Sequence, residues 1–294
     1  MFKTPLARRL IYYLLLPLIY LVSIQPFFIL YRISDGLYLL VYHLLKYRRK
    51  VVFTNLKNAF PNKSEDEIEK IAKEFYGFLC DFIVESVKSI TISEKEIRRR
   101  CRFEDTSLID RLYAEKIKSI GVLGHFGNWE WASPAFSLLE KHKLFVIYKE
   151  LNNVHFEKLM LNIRSRFGSK LIEMKKVVRE MFKNKDLLAV TIFVSDQTPF
   201  PEDAYWTTFM NQDTPVFRGT EVMSKKFNLP VYYISVKREK RGYYVVHTEM
   251  LVENPQATAD GEISELHTRR LEKDIMENPE LWLWSHRRWK HKRQ

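Results

Sequence analysis

The stretch GVLGHFGNWEWAS, Gly121 to Ser133, decides how this chain is read. An apolar run, Ile120 to Leu123, leads into it, and glycines stand on both sides of a single histidine, His125. Asn128 is a good helix cap, so a helix is expected to begin at Trp129 with Glu130 in its first turn. The pattern is a strand, a tight turn carrying an imidazole, and a helix start carrying a carboxylate. On one regular helix five residues rotate by about 500°, so His125 and Glu130 would face different ways. A turn at Gly127 removes that difficulty and lets the carboxylate reach back to the ring. A histidine held by a carboxylate is a general base. No Ser or Cys stands where a nucleophile would be expected, so direct attack by a substrate hydroxyl is the simpler reading. The same residues also fit a satisfied polar pair with no catalytic role. Their place at a strand end favours catalysis, because open α/β sheets bind ligands there.

Outward from this stretch, strand and helix patterns alternate. Strands are expected at Ser119–Leu123, Leu144–Tyr148, Lys170–Glu173 and Leu187–Ile192. Helices are expected at Trp129–Glu140, Val154–Phe167 and Lys175–Asn184. That alternation predicts an α/β fold with a central, mostly parallel sheet flanked by helices. Val231–Val236 and Tyr243–Thr248 read as a hairpin turning at Arg241-Gly242, and a last helix spans Glu262 to Glu277. Upstream, Val51 to Phe60 reads as a short helix stopped by Pro61. Ser64 caps a long amphipathic helix reaching about Ile90, with Asp66 and Glu67 in its first turn. Its buried stripe is Ile68, Ile71, Ala72, Phe75, Phe78, Leu79, Phe82 and Ile83. A short helix, Glu94 to Arg100, follows.

The chain divides into an N-terminal segment, 1–50, and a catalytic domain, 51–294. Leu10 to Tyr31 holds 22 residues without a formal charge. As one helix it would span about 33 Å, against a hydrocarbon core of about 30 Å. It is expected to anchor the protein in a membrane, with Tyr12, Tyr13, Tyr20 and Tyr31 as interface residues. Pro17 and Pro26 could kink it. Lys3, Arg8 and Arg9 precede it and Lys46, Arg48, Arg49 and Lys50 follow, so basic residues flank both ends and leave the orientation open. A second apolar stretch, Leu37 to Leu45, is too short to span.

The 294 residues are 46% hydrophobic, which excludes a disordered chain, and the formal net charge is +12. The charge is concentrated behind the apolar N-terminus and at the end, where Arg287, Arg288, Lys290, Lys292 and Arg293 have no acid among them. Such clusters suit anionic lipid headgroups, at about 1 kcal/mol per basic residue. Trp282, Trp284 and Trp289 between these cations suit the same interface. They would also suit single-stranded nucleic acid, but no nucleic-acid-binding motif supports that. Cys80 and Cys101 form no metal or redox pattern, and no zinc cluster, EF-hand or phosphate-binding loop is present, so neither metal nor cofactor is expected.

GHFGNWE resembles the HX4(D/E) motif of glycerolipid acyltransferases, in the form typical of the bacterial lipid A acyltransferases. YRRKVVFTNLKNAFP, the Ser195-Asp196-Gln197 step and the tail NPELWLWSHRRWK resemble the same family, in order along nearly the whole chain. The resemblance implies transfer of a fatty acyl group from an acyl carrier protein thioester to a lipid A precursor, on the cytoplasmic face of a bacterial inner membrane. His125 would be the base and Glu130 its orienting carboxylate. Asn128, Arg164 (or Arg166), Asp196, Gln197 and Gly219 would contact substrate. Arg164 would hold an acceptor phosphate or the oxyanion; Asp196 would orient a base or bind a sugar hydroxyl. Phe209-Met210-Asn211 departs from the family, which has a Phe-Gly element here. Two alternatives stay open: an acyltransferase for a lysophospholipid or amino-acid lipid, and a membrane-surface binder without activity.

Overall fold

The computed structural model describes residues 5–293. Lys3, one of the basic residues before the apolar run, lies outside them. The run itself is broken. Helix α1 (Pro5–Ile24) ends and α2 (Phe27–Tyr38) begins across Pro26, whose φ of −65° starts the second helix. Proline lacks an N–H and clashes with the carbonyl four residues back, so one straight helix through Leu10–Tyr31 is interrupted there. Among the described residues no single helix is long and apolar enough to cross a membrane. Phe27–Leu44 and Arg49–Ala59, bent by 86°, pass the length and composition requirement only together. After α2 the chain widens into a π-type turn, Leu39–Leu44, then enters α3 (Arg49–Ala59).

Helix α4 (Glu65–Lys88) starts with the capping box the sequence predicts: Ser64 and Glu67 bond each other's backbone N–H. Its buried face is wider than the expected stripe. Tyr76, Cys80, Asp81, Val84 and Glu85 are buried, whereas Ile83 is 40% exposed. The cause is α2, which lies along α4 and covers a second face. There Ser34 bonds Asp81 at 2.7 Å and Tyr31 bonds Glu85 at 2.9 Å. Of the four tyrosines expected at an interface, only Tyr13 and Tyr20 are exposed. Tyr12 stacks on His155, and Tyr31 turns inward.

Helix α5 (Glu94–Arg100), strand β1 (Cys101–Phe103) and helix α6 (Ser107–Ala114) lead to β2 (Ser119–Leu123). Then follow α7 (Trp129–Ser137), β3 (Lys143–Tyr148), α8 (Val154–Ser165), β4 (Lys170–Glu173), α9 (Val177–Lys183) and β5 (Ala189–Val194). A separate hairpin, β6 (Ala204–Phe209) and β7 (Gln212–Phe217), precedes α10 (Gly219–Phe227). Strands β8 (Val231–Lys240) and β9 (Tyr243–Val252) and helix α11 (Glu262–Glu277) complete the order. Among the described residues the main sheet has seven strands in the order β1-β9-β8-β2-β5-β3-β4, parallel throughout except for the β8–β9 pair. β2 is buried at every position, as the middle of a parallel sheet requires.

The β6–β7 hairpin was not legible as strands, because Pro215 interrupts β7 and neither strand alternates: only Thr208 and Asp213 are exposed, and the other positions are half-buried or buried. Its two-residue turn, Met210-Asn211, has φ of 49° and 61°. That geometry usually calls for glycine. Here Glu272 accepts the Met210 N–H at 2.6 Å, and the Asn211 amide donates to the Ala59 carbonyl at 2.9 Å. The departure from the family pattern at Phe209-Met210-Asn211 therefore sits in a braced turn.

Register places the site. Leu123 pairs with Val194 at the carboxyl ends of β2 and β5, and the Ser195 N–H donates to the Leu123 carbonyl at 3.0 Å. Two residues past each pair member stand His125 and Asp196. Gly127 then turns the chain into α7 with φ of +61°, while its N–H donates to the Leu281 carbonyl at 3.0 Å. A Cβ at Gly127 would meet the Val236 carbonyl oxygen. Gly127→Ala is expected to destabilise the protein by at least about 1–2 kcal/mol from the left-handed backbone alone. Urea unfolding followed by circular dichroism checks this, and an unchanged midpoint would contradict it.

Candidate active site

The site is built where β2 and β5 end. The His125 backbone N–H donates to Asp196 Oδ2 at 2.8 Å, and its ring Nδ1 lies 2.5 Å from Asp196 Oδ1. Trp282 Nε1 donates to the same carboxylate at 2.9 Å. Burial pushes the Asp196 carboxyl up, but the charge His125 can carry, its two N–H groups and Trp282 outweigh this and hold it at about 2. An ionised Asp196 favours the proton on Nδ1 and makes Nε2 the acceptor nitrogen. Gln197 Nε2 lies 3.2 Å from that Nε2. Trp129 packs edge-on against the imidazole at 4.9 Å, and Phe82 packs on Trp129 at 4.1 Å. The ring is thus fixed on three sides, with 17% of its side chain exposed.

Glu130 does not hold His125. Its carboxylate is taken by Arg164 of α8, which donates from Nε to Oε2 at 3.0 Å and from Nη2 to Oε1 at 2.5 Å. The reason is geometric. Glu130 sits in the first turn of α7 and projects toward α8, while the strand register has already put Asp196 beneath His125. The expected His–Glu pair is replaced by two pairs, His125–Asp196 and Glu130–Arg164. Arg166, the alternative to Arg164, instead donates to the Ser89 carbonyl at 3.1 Å.

His125 and the Glu130–Arg164 pair meet one cavity of about 550 Å³. His125, Glu130, Arg164, Gln197 and Gly219 line it, and most of the rest of its wall is apolar, including Phe136, Leu144, Ile192, Phe193, Met223 and Val246. A pocket of this size with a few convergent polar groups is the usual form of a ligand site. Asp196 lies behind His125, outside the lining. Asn128 is also outside it: fully buried, it accepts the Trp131 N–H at 3.0 Å as the cap of α7 and donates to Glu85 at 2.7 Å. Its expected contact with substrate is not part of this geometry.

A family model for bacterial lipid A biosynthesis acyltransferases matches residues 2–291. The chain belongs to that family. It is 24% identical over 255 residues to the lipid A biosynthesis palmitoleoyltransferase of Escherichia coli, covering 84% of this chain and 80% of the relative. It is equally similar to a lipid A biosynthesis acyltransferase of Shigella flexneri. To the lipid A biosynthesis lauroyltransferase of Escherichia coli it is 23% identical over 275 residues, covering 92% and 89%.

The Trp-rich tail, expected at a membrane interface, turns inward in this family member. Trp282 is buried against the loop of His125, bridging to Phe126; Trp284 is buried between Trp282 and Phe60, and Arg288 is also buried; Arg287, Lys290, Lys292 and Arg293 remain exposed. Sequence reasoning also missed Glu85. Its fully buried carboxylate accepts from Tyr31, Tyr244 and Asn128 at 2.9, 2.7 and 2.7 Å. The signal was present, since Glu85 lies seven residues after Phe78 and so falls on the buried face of α4. Burial pushes the Glu85 carboxyl up to about 7, against the three donors that pull it down. A carboxyl raised above its unfolded value contributes stability below that value and loses it as pH rises through about 7. Glu85→Gln should therefore gain stability relative to the parent between about pH 5 and 8. Denaturant melts across that range check it, and a difference that does not change with pH would contradict it.

Proposed function

We propose that this protein transfers a fatty acyl chain from an acyl carrier protein thioester to a hydroxyl of a lipid A precursor. The observation that carries the reading is the His125–Asp196 pair, with His125 on the wall of a large, mostly apolar cavity, within a chain of this family. His125 Nε2 takes the proton of the acceptor hydroxyl once that hydroxyl displaces Gln197. Asp196 keeps Nδ1 protonated and stabilises the imidazolium that forms. The freed oxygen attacks the thioester carbonyl, and the tetrahedral intermediate collapses with loss of the thiolate, which takes the proton back from His125. The acyl chain lies in the apolar cavity. Arg164, aimed by Glu130, supplies positive charge to the oxyanion or to an acceptor phosphate. Asp196 thus takes the role that the motif assigns to Glu130.

The same reading places the site at a membrane. Leu10, Leu14, Leu18, Leu21, Phe28 and Leu44 are each more than half exposed on α1, α2 and the π-type turn. Lys46, Arg48 and Lys50 are exposed just beyond them. An apolar face edged by cations suits the inner membrane, with the catalytic domain on its cytoplasmic side and anionic lipid headgroups around it.

The test is acyl transfer by detergent-solubilised protein, with acyl carrier protein thioesters and tetra-acylated lipid A precursor, read by mass spectrometry. A gain of one acyl chain is expected, falling about 10²–10⁴-fold in His125→Ala. No gain with that acceptor, but a gain with a lysophospholipid or amino-acid lipid, would overturn the acceptor assignment. No gain with any would overturn the activity. The two pairs predict two groups of non-additive losses. Asp196→Asn should cost little once His125 is already Ala, and Glu130→Gln little once Arg164 is already Gln. Additive losses within either pair would contradict the pairing.

A further inference from the structure

Across a small cavity from Asp196 the structure holds an unexplained charge. Arg288 is 1% exposed, and its Nε and Nη1 have no hydrogen-bond partner among the described residues. A buried guanidinium with unpaired N–H groups is costly unless a charge or water meets it. Its backbone is fixed in place: the Arg288 carbonyl accepts from Thr198 Oγ1 at 2.9 Å, two residues past Asp196. Between the two side chains lies a small cavity of about 10 Å³, lined by Asp196, His267, Ser195 and Arg288 among others. That is about the least space that holds one water, and the walls offer the two to four polar partners a buried water needs.

Resting on the reading of His125 as base, we propose that Arg288 is a positioning residue for the His125–Asp196 pair. A water held in the small cavity bridges its guanidinium to the Asp196 carboxylate. The cation balances the carboxylate across the cavity, so that Asp196 orients the imidazole without gripping its proton too tightly. Without Arg288, the buried carboxylate faces His125 alone and favours the imidazolium, which cannot act as a base.

The other groups around the pair do not supply this balance. His267 has an unpartnered Nε2 in the same region, but burial pushes it down to about 4, so it stays neutral at physiological pH. Burial does the same to His286, which also feels Asp196, Arg288, His125 and Lys290. Tyr233 is buried, with its hydroxyl raised by burial and bonded to Asp274 at 3.0 Å. Glu221 and Glu265 act on His267, with Glu221 bonded to Ser264 and Gly261. On the cavity side, Glu130 and Arg164 neutralise each other. Lys290 is exposed. Burial pulls the Arg288 guanidinium down to about 10, against the pull of Asp196, so it is still charged at neutral pH.

The test does not depend on turnover. Diethyl pyrocarbonate acylates neutral imidazole, and its pH dependence at His125 can be followed by peptide mass spectrometry. In Arg288→Met the midpoint should move up by about one pH unit, the size expected of one lost charge at short range. In Arg288→Lys it should stay near the parent value. The kcat/KM profile for acyl transfer should move its acid limb in the same direction. A folded Arg288→Met with an unmoved midpoint would overturn the proposal, as would an equal shift in Arg288→Lys. If neither variant folds, a crystal structure of the parent decides: a water between Arg288 and Asp196 supports the bridge, and an empty cavity overturns it. Full activity in His125→Ala would instead refute the base assignment and leave the midpoint comparison standing.

Discussion

Everything in this site hangs on one buried carboxylate. Asp196 accepts a backbone N–H and a ring nitrogen from His125 and the indole N–H of Trp282. Those bonds join three distant parts of the chain: the end of β2, the end of β5 and the C-terminal tail. A carboxylate buried in this way is tolerable only because its charge is met by several donors. The demand for those donors keeps the loop, strand and tail in one arrangement. The imidazole is held as a consequence, with Nε2 turned to the cavity.

Around this centre the fold supplies support at graded distance. The β2–β5 register brings His125 over Asp196. Gly127 lets the chain leave the strand and start α7 within hydrogen-bonding range of Leu281. Asn128 caps that helix and is itself held by Glu85, which also ties α2 through Tyr31 and β9 through Tyr244. The N-terminal helices are therefore connected to the loop that carries His125 by a short chain of buried hydrogen bonds. At the β8–β9 turn Arg241 grips Asp81 of α4 and Asp35 of α2, fastening α2 to the body of the protein from another direction. The apolar helices and the His125 loop thereby keep a fixed relation.

Much of this was legible in the sequence, and the parts that were not share a cause. Strands β2 and β4 and helix α11 fall at their expected bounds, since each has strong periodicity and clear stops. β5 begins and ends two residues later than expected, because Leu187 and Leu188 extend the apolar run ahead of the first paired residue, Ala189. The single helix through Leu10–Tyr31 failed at Pro26, where backbone chemistry overrode a continuous apolar pattern. His125, Glu130, Arg164 and Gln197 were all expected at the site and do line one cavity. Which carboxylate serves the histidine was not legible from spacing. Five positions in sequence made Glu130 the natural partner, whereas the true neighbour is set by the pairing of two strands some 70 residues apart. The tail shows the same limit. Its alternation of Trp and Arg reads as an interface, and only the fold reveals that Trp282 and Arg288 face Asp196 from the inside.

The central claim is that Asp196, and not Glu130, holds the proton on His125 Nδ1. The most direct measurement is proton–nitrogen NMR of protein labelled with ¹⁵N-histidine, at a pH where the imidazole is neutral. A slowly exchanging, downfield Nδ1–H resonance assigned to His125 is predicted, surviving in Glu130→Gln and lost in Asp196→Asn. A resonance that disappears in Glu130→Gln and persists in Asp196→Asn would contradict the account.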